Sequence, residues 1–155
     1  MTTRVCRART PAAFAFFREL ATEYENELPA DLRHSDFARQ LQHLEIDYGP
    51  PNAAFVATID ESPAGCVALM TLNASAAIVK KLYVKPQYRN LGVAKALLAH
   101  LIDYSRQRKF RRLVLDTERD RLRIAYNFYL SLGFEECEPY GRVDYASPTF
   151  MELKL

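Results

Sequence analysis

The stretch Leu82–Leu98, "LYVKPQYRNLGVAKALL", constrains the chain more than any other. A run that reads as a β-strand stops at Pro86, Gly92 follows, and an apolar-periodic segment then begins with no Ser, Thr or Asp in the usual capping place. A helix begun without a side-chain cap leaves backbone N–H groups of its first turn free, and with the helix dipole these form an anion site. Gly92 and Ala94 keep the backbone open to close approach by a phosphate. Arg89 adds positive charge or braces the loop. The pattern is R-x-x-G-x-A rather than G-x-G-x-x-G, and no G-K-[ST] follows, so neither a dinucleotide fold nor a P-loop NTPase is indicated.

The flanking segments alternate in period. "TRVCRA" (Thr3–Ala8) reads as a strand, and Thr10 with Pro11 opens a helix through Phe14, Phe17, Leu20 and Tyr24. After Leu28-Pro29 a second helix is expected to use Leu32, Phe37, Leu41 and Leu44. "NAAFVATID" and "GCVALMTL" read as strands joined by a turn at "ESPA", and Ala76–Val84 is a third strand entering the loop. Then come a helix from Gly92 to Arg108, a strand Arg111–Thr117, a helix Arg119–Leu132, a short strand from Phe134 and a last strand "TFMELKL". Hairpin-linked strands come first and helix crossovers later, an α/β order without repeats, linkers or biased tracts.

At 155 residues and 49% apolar content, the chain fits one domain, residues 1–155, with room for a substantial core. Its 21 basic and 19 acidic residues are interspersed, which argues against a nucleic-acid surface. The one basic run, Arg106 to Arg112, reads as a solvated helix end where cations suit the dipole. Cys6, Cys66 and Cys137 are odd in number and match no metal spacing, so they read as buried reduced thiols of a cytoplasmic protein. No apolar run approaches the roughly 18 residues that span a bilayer, and Met1–Pro11 lacks a signal-peptide core.

Two motifs in order give the chain a family resemblance. "KPQYRNLGVAKALL" resembles motif A of the GNAT (Gcn5-related N-acetyltransferase) enzymes through Arg89, Gly92 and Ala94. Further along, "AYNFYLSLGF" resembles the family's A-x-x-x-Y-x-x-x-G-F signature through Ala125, Tyr129, Gly133 and Phe134. The tail "EPYGRVDYASPTFMELKL" resembles the final hairpin of small bacterial members. The resemblance implies an α/β (α+β) GNAT fold, a mixed central sheet of about six to seven strands flanked by four helices, with a splay after the fourth strand. It also implies acetyl transfer from acetyl-CoA to a primary amine of a small molecule or peptide, with no metal. A homodimer stays open, since relatives are often dimers.

By the same resemblance, the pyrophosphate of acetyl-CoA lies on the N–H groups of Asn90, Leu91, Gly92, Val93, Ala94 and Lys95, next to Arg89. The pantetheine arm bonds the backbone of Leu82, Tyr83 and Val84, exposed where Ala76–Val84 and Arg111–Thr117 separate. Lys95 and the basic run are candidates for the 3′-phosphate, against the solvated reading. Tyr129 takes the general-acid position, with core packing as its alternative role. Two departures stand out. Leu122 occupies a place where many relatives have Asn, and Ile78 one where many have Glu, so no carboxylate base is evident. Asp116 and Glu118 are candidate substitutes, or else helix caps. The acidic residues Glu23, Glu25, Glu27, Asp31, Asp36, Glu45 and Asp47, with Tyr140, Asp144 and Tyr145, suit a cationic small amine, and a peptide amine is the alternative. An acyl-CoA sensor without turnover is the competing class, and nucleic-acid binding through the basic run a weaker one.

Overall fold

The structure is a computed structural model that describes residues 2–155. Its elements run β1 (Thr3–Arg7), α1 (Pro11–Glu27), a 3-10 turn (Ala30–Leu32), α2 (Phe37–Gln42), α3 (Leu44–Asp47), β2 (Ala53–Ile59), β3 (Ser62–Thr71) and β4 (Ala76–Val84). A second 3-10 turn (Pro86–Tyr88) precedes α4 (Val93–Gln107), β5 (Arg112–Thr117), α5 (Arg123–Ser131), β6 (Glu135–Glu136) and β7 (Thr149–Lys154). The strands form one seven-stranded sheet in the order β1-β2-β3-β4-β5-β7-β6. β4 and β5, joined through α4, are its parallel pair, and the other neighbours are antiparallel.

Side-chain alternation divides the core. Ala53, Phe55, Ala57 and Ile59 of β2 face α4 and α5, while Ala54 and Val56 face α1 and α3. Helix α1 begins as its sequence dictates: the Thr10 hydroxyl accepts from the Ala13 N–H at 3.2 Å, with Pro11 in the first turn. Its apolar stripe of Phe14, Phe17 and Leu20 is buried against the sheet. Phe17, fully buried and edge-on to Tyr48 at 5.3 Å, is a position where truncation to Ala would cost about 3–5 kcal/mol.

Three expectations need correction. The second helix is a 3-10 turn followed by two short helices, which raises the α-helix count from four to five. The reason is what the segment binds: Arg33 donates to the carbonyls of Leu28 and Asn26 at 3.1 Å, and His34 binds Glu25, tying the chain to the end of α1. Those bonds satisfy carbonyls left free at a helix end, at the cost of helical continuity. The β2–β3 turn lies at Asp60-Glu61, both at positive φ (48° and 71°), not at "ESPA". Pro63 then sits inside β3 beside a register shift, where a missing N–H is tolerated. Of the cysteines, Cys66 is buried, whereas Cys6 is exposed and Cys137 intermediate; all three are free.

The feature that positions the site is a separation of strands. β4 and β5 pair through Ala76–Arg112, Ala77–Leu113 and Ile78–Val114, and no further. β4 stays bonded to β3 on its other side, with a register shift opposite Lys81, which has φ 57°. Gly65 allows that close approach, because a Cβ there would lie 2.7 Å from the Tyr83 carbonyl oxygen. The sequence-expected splay is therefore present, and the edge of β4 beyond Ile78 is unpaired toward β5.

Candidate active site

At the end of β4 the chain turns through Pro86–Tyr88, and Asn90 (φ 63°) and Gly92 (φ 81°) lead into α4. Gly92 is the N-cap and no side chain caps the helix; the first helical bond runs from the Ala96 N–H to the Gly92 carbonyl at 3.0 Å. Among the described residues, the N–H groups from Asn90 to Lys95 donate to no backbone acceptor. Gly92 is needed for its left-handed φ, and the space where its Cβ would stand is open. These free donors at the positive end of a 15-residue helix are an anion cradle.

The cradle opens into a largely apolar cavity of about 480 Å³. It is lined by Leu82, Tyr83 and Val84 on the free strand and by Arg89, Asn90, Gly92, Val93, Ala94 and Lys95 on the loop and helix. Of the expected set, Leu91 alone lies outside this lining, with its side chain exposed. Arg89 donates to the Val84 carbonyl at 2.9 Å and to Glu27 at 3.0 Å, and lies over the Tyr83 ring. Tyr83 in turn donates to Glu27 at 2.8 Å and Glu23 at 3.1 Å. Burial pushes the Glu27 carboxyl up, but the hydrogen bonds from Tyr83 and Arg89 outweigh it and leave it below its ordinary range. Leu122 lines the cavity too, so at that point the wall is apolar rather than an amide.

A second, more polar cavity of about 290 Å³ lies on the α1–α2 side and shares Tyr24 and Leu82 with the first. Tyr129 is buried in the α4–α5 core, edge-on to Phe134 at 5.5 Å, yet it also lines this second cavity. The gap between β4 and β5 is what lets a residue of α5 reach it. Burial pushes the Tyr129 phenol up, with Tyr24 and Asp116 adding to the effect, so it stays protonated. Asp116 lines the same cavity and accepts from Tyr140 at 2.6 Å and Tyr145 at 2.8 Å, which draws the irregular tail segment over the site.

Other candidates are placed elsewhere. Glu118 is held by Arg121 at 2.5 and 2.6 Å, and Arg121 also binds Asp31; Glu118 lines neither cavity. The Arg121 hydrogen bonds lower the Glu118 carboxyl, which makes it a poor base. Ile78 lies outside both cavities as well; β4 contributes Val79, Lys80 and Lys81 instead. The basic run sits at the far end of α4, about 22 Å of helix from the cradle at 1.5 Å per residue, so it does not reach a ligand phosphate there. Of the acidic residues expected around an acceptor, Asp36 and Asp47 line the second cavity, Glu27 lines the first, and Glu25 is buried against His34. Sequence reading missed Tyr24, Gln40 and Lys81. Lys81 had a signal, because "VKK" interrupts an otherwise apolar strand.

Comparison with known proteins identifies the family and the fold. The sequence model of the acetyltransferase (GNAT) family matches residues 14–134. An uncharacterized N-acetyltransferase of Schizosaccharomyces pombe is 30% identical over 154 residues, covering 97% of this chain and 94% of its own. Among solved structures, a GNAT-family acetyltransferase from Staphylococcus aureus superposes with a TM-score of 0.82 at 21% identity, covering 99% of both chains. YncA of Salmonella typhimurium, solved with its cofactor acetyl-CoA, superposes with a TM-score of 0.79 at 19% identity, covering 99% of this chain and 94% of its own.

Proposed function

This chain belongs to the GNAT acetyltransferase family, and from that premise we propose that it transfers an acetyl group from acetyl-CoA to a primary amine of a small molecule or peptide. One observation carries the reading: the uncapped N-terminus of α4 and the unpaired edge of β4 share a cavity that has Tyr24 and Leu82 in common with a second one, which Tyr129 lines. The residues present fit the cosubstrate. Free N–H groups of Asn90–Lys95 suit a pyrophosphate, and the unpaired backbone of Leu82–Val84 suits an amide-bearing arm.

In this reading the thioester lies where the two cavities join and the amine enters from the second. The amine nitrogen forms a bond to the thioester carbon, the C–S bond breaks, and Tyr129 gives its phenolic proton to the departing sulfur. The amine loses its own proton to water or to Asp116, the one cavity-lining carboxylate on β5. In this reading backbone N–H near Val84 polarises the carbonyl. The acceptor side combines Asp36, Asp47 and Asp116, which favours an amine that arrives as a cation.

Among the described residues, no helix is long and apolar enough to cross a membrane. Thiol release from acetyl-CoA with a panel of amines tests the proposal. Amine-dependent release is expected; thermal stabilisation by acetyl-CoA with no release for any amine would make the protein an acyl-CoA sensor instead.

A further inference from the structure

The second cavity contains a buried lysine without an ion-pair partner among the described residues. Lys81 is 6% exposed, and its ammonium makes one hydrogen bond, to Gln40 Oε1 at 2.9 Å, beside the Phe37 ring at 5.3 Å. The Gln40 amide is fixed in that orientation because its NH₂ donates to Asp36 at 2.9 Å. Lys81 forms no ion pair among the described residues: burial lowers its pKa, the Glu25 and Asp36 carboxylates oppose that only from beyond ion-pair distance, and its direct partners are one neutral oxygen and an aromatic face. A buried ammonium held this way is costly unless an anion joins it. Its position explains why the cost is retained: Lys81 sits at the β4 bulge, next to Leu82, which lines both cavities.

Resting on the acyl-transfer reading, we propose that Lys81 is a specificity-determining residue that binds a carboxylate on the acceptor, which is therefore an amino acid or another small aminocarboxylate. The wall chemistry is zwitterionic: Lys81 meets the carboxylate, while Asp116 and Tyr129 lie where the amine must react. A singly charged carboxylate fits better than a phosphate dianion, because Asp36 and Asp47 line the same cavity and repel excess negative charge. The volume of about 290 Å³ is at the lower end for ligand pockets and suits a small acceptor.

The test uses the whole chain with acetyl-CoA and the common amino acids, each paired with its primary carboxamide. Thiol release should favour the acids by at least tenfold in kcat/KM. Lys81→Met should erase that preference through KM, while kcat with carboxamides and CoA affinity by calorimetry stay unchanged. The variant should fold, since it replaces an uncompensated buried charge by an apolar chain of similar length. Equal use of acids and carboxamides by the parent would overturn the Lys81 proposal and leave acyl transfer standing. Absence of release with both series would leave the acyl-transfer reading to the wider amine panel, and the Lys81 proposal would then be decided by thermal shift of the CoA-loaded protein. Stabilisation by the acids but not the amides, lost in Lys81→Met, would sustain it; no such stabilisation would end it.

Discussion

The Arg89 guanidinium donates through Nε to the Val84 carbonyl at 2.9 Å, closing the corner where the free strand becomes the anion-binding loop. The same side chain reaches Glu27 on α1 and covers the Tyr83 ring, so strand, loop and first helix are joined at one residue. The arginine that opens the loop signature is thus a brace that also brings positive charge to the cavity.

Both roles can be separated. Arg89→Ala should cost up to about 1 kcal/mol of stability, as expected for a half-exposed ion pair, and weaken coenzyme A binding severalfold. Glu27→Gln should share the stability loss but keep coenzyme A affinity, because the guanidinium remains. Calorimetry beside thermal unfolding tells them apart, and equal affinity losses in both variants would reduce Arg89 to a brace.

At Gly92 the backbone itself is under test. Gly92→Ala meets no steric neighbour but must hold φ 81°, so a destabilisation of about 1–2 kcal/mol is expected. Gly92→Asp adds negative charge at the cradle and should lower coenzyme A affinity at least tenfold, about 1.4 kcal/mol. If a folded Gly92→Asp protein binds as the parent does, the cradle is not the phosphate site.

Much of this architecture is legible in the chain because it is written locally. Thr10-Pro11 opens α1, apolar runs bounded by turn residues give β2 to β5, and the Gly92 turn and Tyr129 mark the candidate site. What failed to read out depends on distant partners. The segment after Pro29 carries helical periodicity at Phe37 and Leu41, yet α2 buries no residue, and Arg33 and His34 are drawn to the end of α1. The second cavity draws walls from α1, α2, α3, β3, β4, β5 and α5, so no spacing along the chain announces it. Glu118 read as a candidate base because it follows β5; only the fold reveals that Arg121 claims it.

That Arg121 network has its own pH signature. Hydrogen bonds from Arg121 lower the carboxyls of both Asp31 and Glu118. A depressed folded pKa contributes stability above the unfolded value, near pH 4, that is lost as pH falls through the folded value. Arg121→Ala should therefore lower Tm at neutral pH and flatten the acid limb of Tm against pH. Glu118→Gln should leave kcat unchanged, and a large drop there would return Glu118 to the catalytic machinery.

For the proton on the amine, the cavity offers Asp116, whose two oxygens already accept from Tyr140 and Tyr145. With both oxygens already engaged, proton loss to water is the expected route, so kcat/KM should climb with pH toward the pKa of the acceptor and the limb should move when acceptors of different basicity are compared. A limb fixed near pH 6 to 7 for all acceptors, abolished by Asp116→Asn, would identify a protein base instead.

Tyr129 carries the sharpest mechanistic prediction. Its ring packs against Phe128 and Phe134, while its hydroxyl is not sealed from the second cavity. Burial raises the phenol further above its ordinary value near 10, so the acid form persists across the working range and no alkaline limb is expected from it. Tyr129→Phe keeps the packing and removes only the proton. Because no protein acceptor takes that hydroxyl among the described residues, the stability change should stay below about 1 kcal/mol. An acid role then predicts a fall in kcat of about 10²-fold or more, with coenzyme A affinity intact. The loss should shrink with an acyl donor whose thiol leaves readily as the thiolate, since a better leaving group needs less protonation. A core-aromatic role predicts parental turnover with both donors, and that result would pass the proton transfer to solvent.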